Sequence, residues 1–337
     1  MNVFSDMHHG DLYYSLSLLF EKRLGWNLYC PMGKEWYNKG YWNYNLTEPV
    51  IDQYLNMRNV EPEKDGYHKW LDPNRETYRK AITVEQFASM PIDIIVASVT
   101  NHIEPMLKLQ RELKRNAKMV LQLGNEPGYW TFNIHNLLIS LKPRPLPLPY
   151  NAVFYHQEFP LDIFSYKPPG PEEGDEKSIK NFMNCLPQTV DKPLWYLYKD
   201  ILPEYTWKMF GINGEHGIIG TIKEIAKEIQ SSTFIWHVKA HGDGFGHVIH
   251  NAYACGRPCI VKKSYYKDRW GETLLTDGDT CIDLEMANQE TNLEKIRAYS
   301  RPAEYERLCE KSYIRFKSLV NFDAEFEEIK TFLERLV

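Results

Sequence analysis

Apolar and polar positions follow two rhythms along this chain. Asn2-Val3-Phe4-Ser5 is a short strand pattern, followed by a turn from Asp6 to Gly10. Leu12, Leu16, Leu19, Phe20 and Leu24 then recur at helical spacing, and Gly25 is a C-cap signal. Asn27-Leu28-Tyr29-Cys30 predicts the next strand. Strand, helix and strand in such quick succession open a parallel α/β sheet. Pro91–Ser98, Lys118–Gly124, Asn136–Ser140 and Asn151–His156 predict further strands, because continuous apolar runs suit strands covered on both faces. Residues 103–116 predict a helix.

Two segments interrupt. Lys142–Tyr150 has proline at 143, 145, 147 and 149 and reads as an extended connector. Pro168–Lys177 is proline, glycine and acid without an apolar residue, a linker composition. The rhythm then restarts. Strands are predicted at Ile179–Met183, Thr206–Phe210, Ser232–Val238 and Pro258–Val261. Helices are predicted at 192–202, Thr221–Gln230, Gly246–Cys255, 290–300, 303–319 and 323–336. The expected organisation is a first domain over 1–165, a linker over 166–176, a second domain over 177–322 and a last helix over 323–337.

Composition narrows the function. The 337 residues carry 40 basic and 45 acidic side chains, a formal charge of −5, which argues against a protein that coats nucleic acid. Aromatic residues reach 14%, an excess that suits either sugar stacking or core packing. The six cysteines are scattered without a paired CxxC, so they read as small buried residues in a reducing compartment. The N-terminus has neither a basic n-region nor a long apolar run, and no stretch is long enough to span a membrane. The expected location is the cytoplasm.

The segment from Lys239 to Val261 carries the chemistry. A strand runs into three alternating glycines, Gly242, Gly244 and Gly246, and a helix starts there. Glycines admit a close backbone approach, and a helix start offers N–H groups and a positive dipole end, so a diphosphate is the natural guest. The G-x-G-x-G spacing is not the dinucleotide fingerprint, and no Walker A sequence occurs.

This segment resembles the donor domain of GT-B glycosyltransferases, in particular the family-4-like group that uses nucleotide sugars. Their pattern is S-x-x-E-G-F-G-x-x-x-x-E-A-x-A-x-G-x-P-V. Here Asp243-Gly244-Phe245-Gly246 stands at E-G-F-G, Asn251-Ala252 at E-A, and Ala254-Cys255-Gly256-Arg257-Pro258 at A-x-G-x-P. The resemblance implies an α/β fold of two Rossmann-like domains facing across a cleft, with the last helix crossing back to the first domain. It implies glycosyl transfer from a UDP-, GDP- or ADP-sugar as co-substrate, with no metal and no other cofactor. Asp243 would face the transferred sugar, and Asn251 the nucleotide ribose. Gly244, Phe245, Gly246 and His247 would line the diphosphate. The family's arginine after the first strand of this domain is missing: that place reads Met183-Asn184-Cys185-Leu186. Lys192, Lys239, Arg257 or Lys177 would supply the charge.

On the acceptor side, His8, His9, Gly10 and Asp11 follow the first strand, where α/β sheets bind ligands. His9 or Asp11 would serve as the base that takes a proton from an acceptor hydroxyl. The bland alternative makes Asp11 the helix N-cap. Asn125 and Glu126 follow another strand, and Trp36, Tyr37, Tyr41, Trp42 and Tyr44 form an aromatic cluster suited to stacking a sugar or to packing on the sheet. Asp277-x-Asp279 has the form of a metal-binding DxD but reads here as a turn. The acceptor (glycan, lipid, protein or modified nucleic acid), the stereochemistry and the oligomeric state stay open. A GT-B-fold epimerase or phosphorylase, and a binding protein without turnover, are the alternatives.

Overall fold

The structure is a computed structural model. It describes residues 1–6, 9–42, 60–124, 132–146, 149–169, 177–184, 186, 189–240 and 243–337, without the side chains of 62–64. The chain divides into two compact units, Met1–Phe159 with Phe322–Val337, and Pro160–Asn321. The change of unit thus falls at Phe159–Pro160, before the proline- and acid-rich segment.

The first unit is built on one sheet. Its strands are β1 (Asn2–Ser5), β2 (Asn27–Pro31), β3 (Val60–Lys64), β4 (Tyr67–Asp72), β5 (Thr77–Ile82), β6 (Ile94–Ala97), β7 (Lys118–Leu123), β8 (Asn136–Ile139) and β9 (Asn151–Phe154). Their order is β3-β4-β5-β2-β1-β6-β7-β8-β9. From β5 to β9 all neighbours are parallel, with Val3 opposite Leu28 and Ile94. The hairpin β3–β4 and the pair β4–β5 are antiparallel. This extension escapes the hydrophobic pattern because charged residues interleave it. The sequence does mark its turn: Asp65 and Gly66 have φ of 54° and 81°, the Asp-Gly hairpin geometry.

Alternation along the parallel strands gives each face its own core. Phe4, Tyr29, Ile95, Leu121 and Ile139 pack on one face, with Trp36, Phe87 and Met106. Val3, Leu28, Val96, Val120 and Leu138 pack on the other, with Leu12, Leu16, Ile329, Phe332 and Leu333. That second face is covered by the helix Gly10–Ser17 and the C-terminal helix Phe322–Glu334. The first of these continues as a π-helical stretch, Leu18–Arg23. The wider turn ends on Arg23, which forks onto Glu158 at 2.6 and 2.9 Å and reaches Asp323 at 2.9 Å. His156, buried beside it, is held by Glu325 through both its backbone N–H and its ring Nδ1, each at 2.6 Å. Charged side chains therefore dock the last helix at one end, while apolar ones seat the rest. Arg23→Met is expected to lower the unfolding free energy of this unit by about 1–2 kcal/mol, between a surface and a buried pair. Urea unfolding followed by a probe in this unit checks it.

The second unit has strands β10 (Ser178–Asn181), β11 (Thr206–Met209), β12 (Phe234–Trp236), β13 (Cys259–Val261) and β14 (Cys281–Asp283), all parallel, in the order β11-β10-β12-β13-β14. Two helices start on capping boxes or caps that the sequence carries, Thr221 with Glu224 and Asn288 with Thr291. The core is aromatic: Trp195 meets Trp207 and Trp236 edge-on at 4.9 and 5.7 Å. Much of the aromatic excess is thus spent on packing.

Candidate nucleotide-sugar site

In an open α/β sheet, ligands bind beyond the carboxyl ends of the strands, where the strand order reverses. In the second unit that place lies between β10 and β12. After β10 the chain reaches Asp191, a buried residue just before the helix Lys192–Ile201. After β12 it runs through His237 and Lys239 to Asp243 and the glycines, and the helix His247–Ala254 begins.

Asp191 joins these two loops. Its Oδ2 accepts the backbone N–H of Ala240 at 2.7 Å, and its Oδ1 accepts the Tyr265 hydroxyl at 3.2 Å. Lys262, just past β13, lies 3.5 Å from the same carboxylate. Sequence reading missed Asp191. Its signal was faint: an acid directly before a predicted helix, which looks like an ordinary N-cap, although its side chain makes no capping bond.

Asp243 is gripped from two sides. His237, itself buried, donates its Nε2–H at 2.5 Å, and Lys239 pairs with the other oxygen. Burial pushes the Asp243 pKa up, but the neighbouring His237 and Lys239 more than reverse this, so the carboxyl lies well below the usual range. Asp243 is therefore a carboxylate at any ordinary pH. His237 is a further residue that sequence reading missed, since a histidine at the end of a strand looks like core.

The glycine segment takes its shape from the helix it enters. Gly246 has φ of 83°, a left-handed conformation that favours glycine, and it occupies the N-cap of His247–Ala254. No side chain caps that helix start, and its first turn carries no acid. Phe245 is buried and stacks on the His250 ring at 4.0 Å, while His250 Nδ1–H donates to the Gly246 carbonyl at 2.9 Å. Phe245 is thus an anchor for the loop rather than a lining residue, and His250 faces inward. His247 meets the Phe245 ring edge-on at 4.9 Å. On the second turn of the helix, Asn251 Oδ1 is buried with no donor among the described residues. Lys192 is exposed at the start of its helix, over the Tyr196 ring at 6.0 Å.

Two candidate cations are corrected. Arg257 is buried and spends its guanidinium on backbone carbonyls, those of Gln230, Lys167, Cys255 and Gly256. It ties the segment at Lys167 to the ends of the helices Ile222–Gln230 and His247–Ala254. Lys177 precedes β10, at the amino end of the sheet and so opposite the site, and donates to Ser300 at 3.3 Å. Asp277 and Asp279 are bound to Lys295 and Lys311 respectively, within a turn. Among the described residues no group of three His, Cys, Asp or Glu converges to hold a metal.

In the first unit, His8, Asn125 and Glu126 lie outside the described residues. His9 is exposed and is the N-cap of Gly10–Ser17, without a side-chain capping bond. Asp11 therefore sits inside the first turn and is not the cap. It pairs with Arg75, whose guanidinium packs so closely on Gly10 that an added Cβ would lie 2.9 Å from it. Of the two alternatives for Trp36, the structure takes packing on the sheet over the acceptor side. Trp36 is 1% exposed, stacks on Phe4 at 4.8 Å and donates its indole N–H to the Ile82 carbonyl at 3.0 Å, so it offers no face to a sugar. Tyr41 and Trp42 are buried with it, Tyr37 is exposed, and Tyr44 lies outside the described residues. The switch point of this sheet is between β1 and β6. There Asp6, fully buried, accepts the Ser98 N–H at 2.9 Å and binds His102, a pair that sequence reading also missed.

No family model matches this chain, and no curated protein matches it by sequence. Its backbone does match solved structures. HepE of Anabaena, in complex with UDP, is similar at a TM-score of 0.63 and 10% identity, over 99% of each chain. Sucrose-phosphate synthase of Thermosynechococcus elongatus is similar at 0.65 and 12%, over 100% of this chain and 99% of that one. An alpha-glucosyltransferase in complex with UDP-glucose and DNA containing an abasic site is similar at 0.59 and 10%, over 98% of each. The two mainly parallel sheets and these likenesses define the fold as GT-B, the fold that the glycine segment implied.

Proposed function

We propose that this protein transfers a sugar from a nucleoside-diphosphate sugar to an acceptor hydroxyl. One observation carries the reading: Asp243, held by His237 and Lys239, heads a glycine segment that opens a helix start whose N-cap residue offers no side chain, and Asn251 Oδ1 one turn further on has no donor among the described residues. Each part has its own role. The N–H groups and dipole at the start of His247–Ala254 bind the diphosphate and stabilise it as it departs. Asn251 Oδ1 accepts a hydrogen bond from a ribose hydroxyl. Asp243, too strong an acid to carry a proton, accepts hydrogen bonds from the hydroxyls of the transferred sugar and fixes its orientation. His237, Lys239 and Asp191 hold this carboxylate and its loop in place. Lys192 adds charge at the mouth. The first unit carries the acceptor near His9–Asp11, where Asp11, paired with Arg75, positions the acceptor and His9 is the candidate base. The solved neighbours in complex with UDP or UDP-glucose agree with this reading.

A thermal-shift series with UDP-, GDP-, ADP- and TDP-sugars tests it. A ligand at about a hundredfold its Kd adds about 2.7 kcal/mol, a rise of several degrees. One nucleotide is expected to stand out. If none raises the melting temperature, the donor site assignment is wrong.

A further inference from the structure

Among the described residues no carboxylate bonds Arg269, and carbonyls do not satisfy its guanidinium in full as they do that of Arg257. Among these residues Arg269 donates only to the carbonyls of Tyr265, at 3.1 Å, and Lys267, at 3.4 Å. Its Nε is buried with no acceptor. Burial depresses its pKa, against the opposing field of nearby Asp243. A guanidinium half withdrawn from water with no bonded carboxylate among the described residues is a costly arrangement, and a further anion would complete it.

Its place in the fold says which anion. Arg269 lies in the segment that leaves the carboxyl end of β13, beside the loop that leaves β12. Gly271, two residues on, packs against the first turn of His247–Ala254: an added Cβ would lie 3.5 Å from Ile249. Lys192 is exposed at the start of its helix, and three other cations of this end are already committed. Lys239 pairs with Asp243, and Lys262 lies against Asp191 and the Tyr265 hydroxyl. Arg257 is spent on carbonyls.

We propose that Arg269 holds the diphosphate of the donor, so that the charge missing after β10 comes from the segment after β13. The inference rests on the donor reading and adds the residue that grips the phosphates. A guanidinium is well suited to this, since its planar fork gives two N–H donors to neighbouring phosphate oxygens, at the helix start that already favours negative charge.

Calorimetric titration of the full chain with UDP and with UMP tests this, alongside Arg269→Ala, Arg269→Lys and Lys262→Ala. GDP, ADP and TDP, each with its monophosphate, replace the uridine pair if the wild type prefers another base. The expected result for Arg269→Ala is a loss of diphosphate affinity of about tenfold or more, the size of one charge-assisted hydrogen bond, with monophosphate affinity changed less than about threefold on the same scale. Arg269→Lys should recover part of the loss, and Lys262→Ala should lose less. A merely structural role would weaken both nucleotides alike and lower the unliganded melting temperature. Equal loss for both, or wild-type diphosphate affinity in Arg269→Ala, overturns the inference while the donor reading stands. A wild type that binds no nucleoside diphosphate overturns both.

Discussion

Asp243→Ala is expected to lower sugar transfer by about a hundredfold or more, the scale on which a single preorganised polar group acts at a reacting centre. The same change should destabilise the second unit by about 3 kcal/mol, because it leaves His237 buried and Lys239 unpaired. Asp243→Asn separates the two effects. It keeps the shape and one acceptor oxygen, so most of the stability should survive while transfer stays low. The pH dependence has a definite sign. The folded-state pKa of Asp243 is depressed, so its contribution is fully present above the unfolded carboxyl pKa of about 3.9. It fades as pH falls below that value towards the folded pKa. Wild type should therefore keep its advantage over Asp243→Asn in urea unfolding above about pH 4 and lose part of it as pH falls from about 4 to about 2.5. A stability difference that stays constant across that range would show that Asp243 is not held as described. Transfer at the wild-type rate by Asp243→Ala would remove this carboxylate from the reaction.

Gly256→Ala is expected to destabilise the second unit by about 3 kcal/mol, combining left-handed strain with overpacking. Gly256 has φ of 69°, and an added Cβ would drive into the Tyr166 ring and lie 3.2 Å from the Cys309 carbonyl. Tyr166 cannot easily yield, since it stacks on Tyr313 at 4.5 Å. The position thus requires glycine twice, once for the backbone and once for the ring. Tyr166→Leu in the same chain should recover the steric part and leave about 1 kcal/mol of backbone strain. Denaturant midpoints of the two single variants and the double variant measure the coupling. Simple additivity would show that ring and methyl do not meet.

The glycines that mark the donor segment therefore have different causes. Gly246 is needed for the turn into the helix, and Gly256 for packing against Tyr166. A sequence pattern shows both alike. It likewise groups Asp243 with Phe245, although one heads the site and the other is an anchor under it. The pattern located the segment because its spacing is local, and it left Trp36 between a sugar and the sheet because an aromatic cluster looks the same whether it stacks on a ligand or on Phe4.

What the sequence determined by itself is whatever depends on neighbours along the chain. The alternation of apolar runs and amphipathic stretches specified the parallel strands and their helices, and the glycine spacing specified a strand, a turn and a helix start. Only the tertiary structure decided which distant groups share a charge balance. It joined Asp191 to Ala240 across the switch point, set His237 against Asp243, turned Arg257 onto carbonyls and left Arg269, among the described residues, without a bonded carboxylate. The physical reason is range. Hydrogen-bonded backbone geometry is settled within a few residues, whereas the ionisation and free valence of a side chain depend on which strands lie side by side.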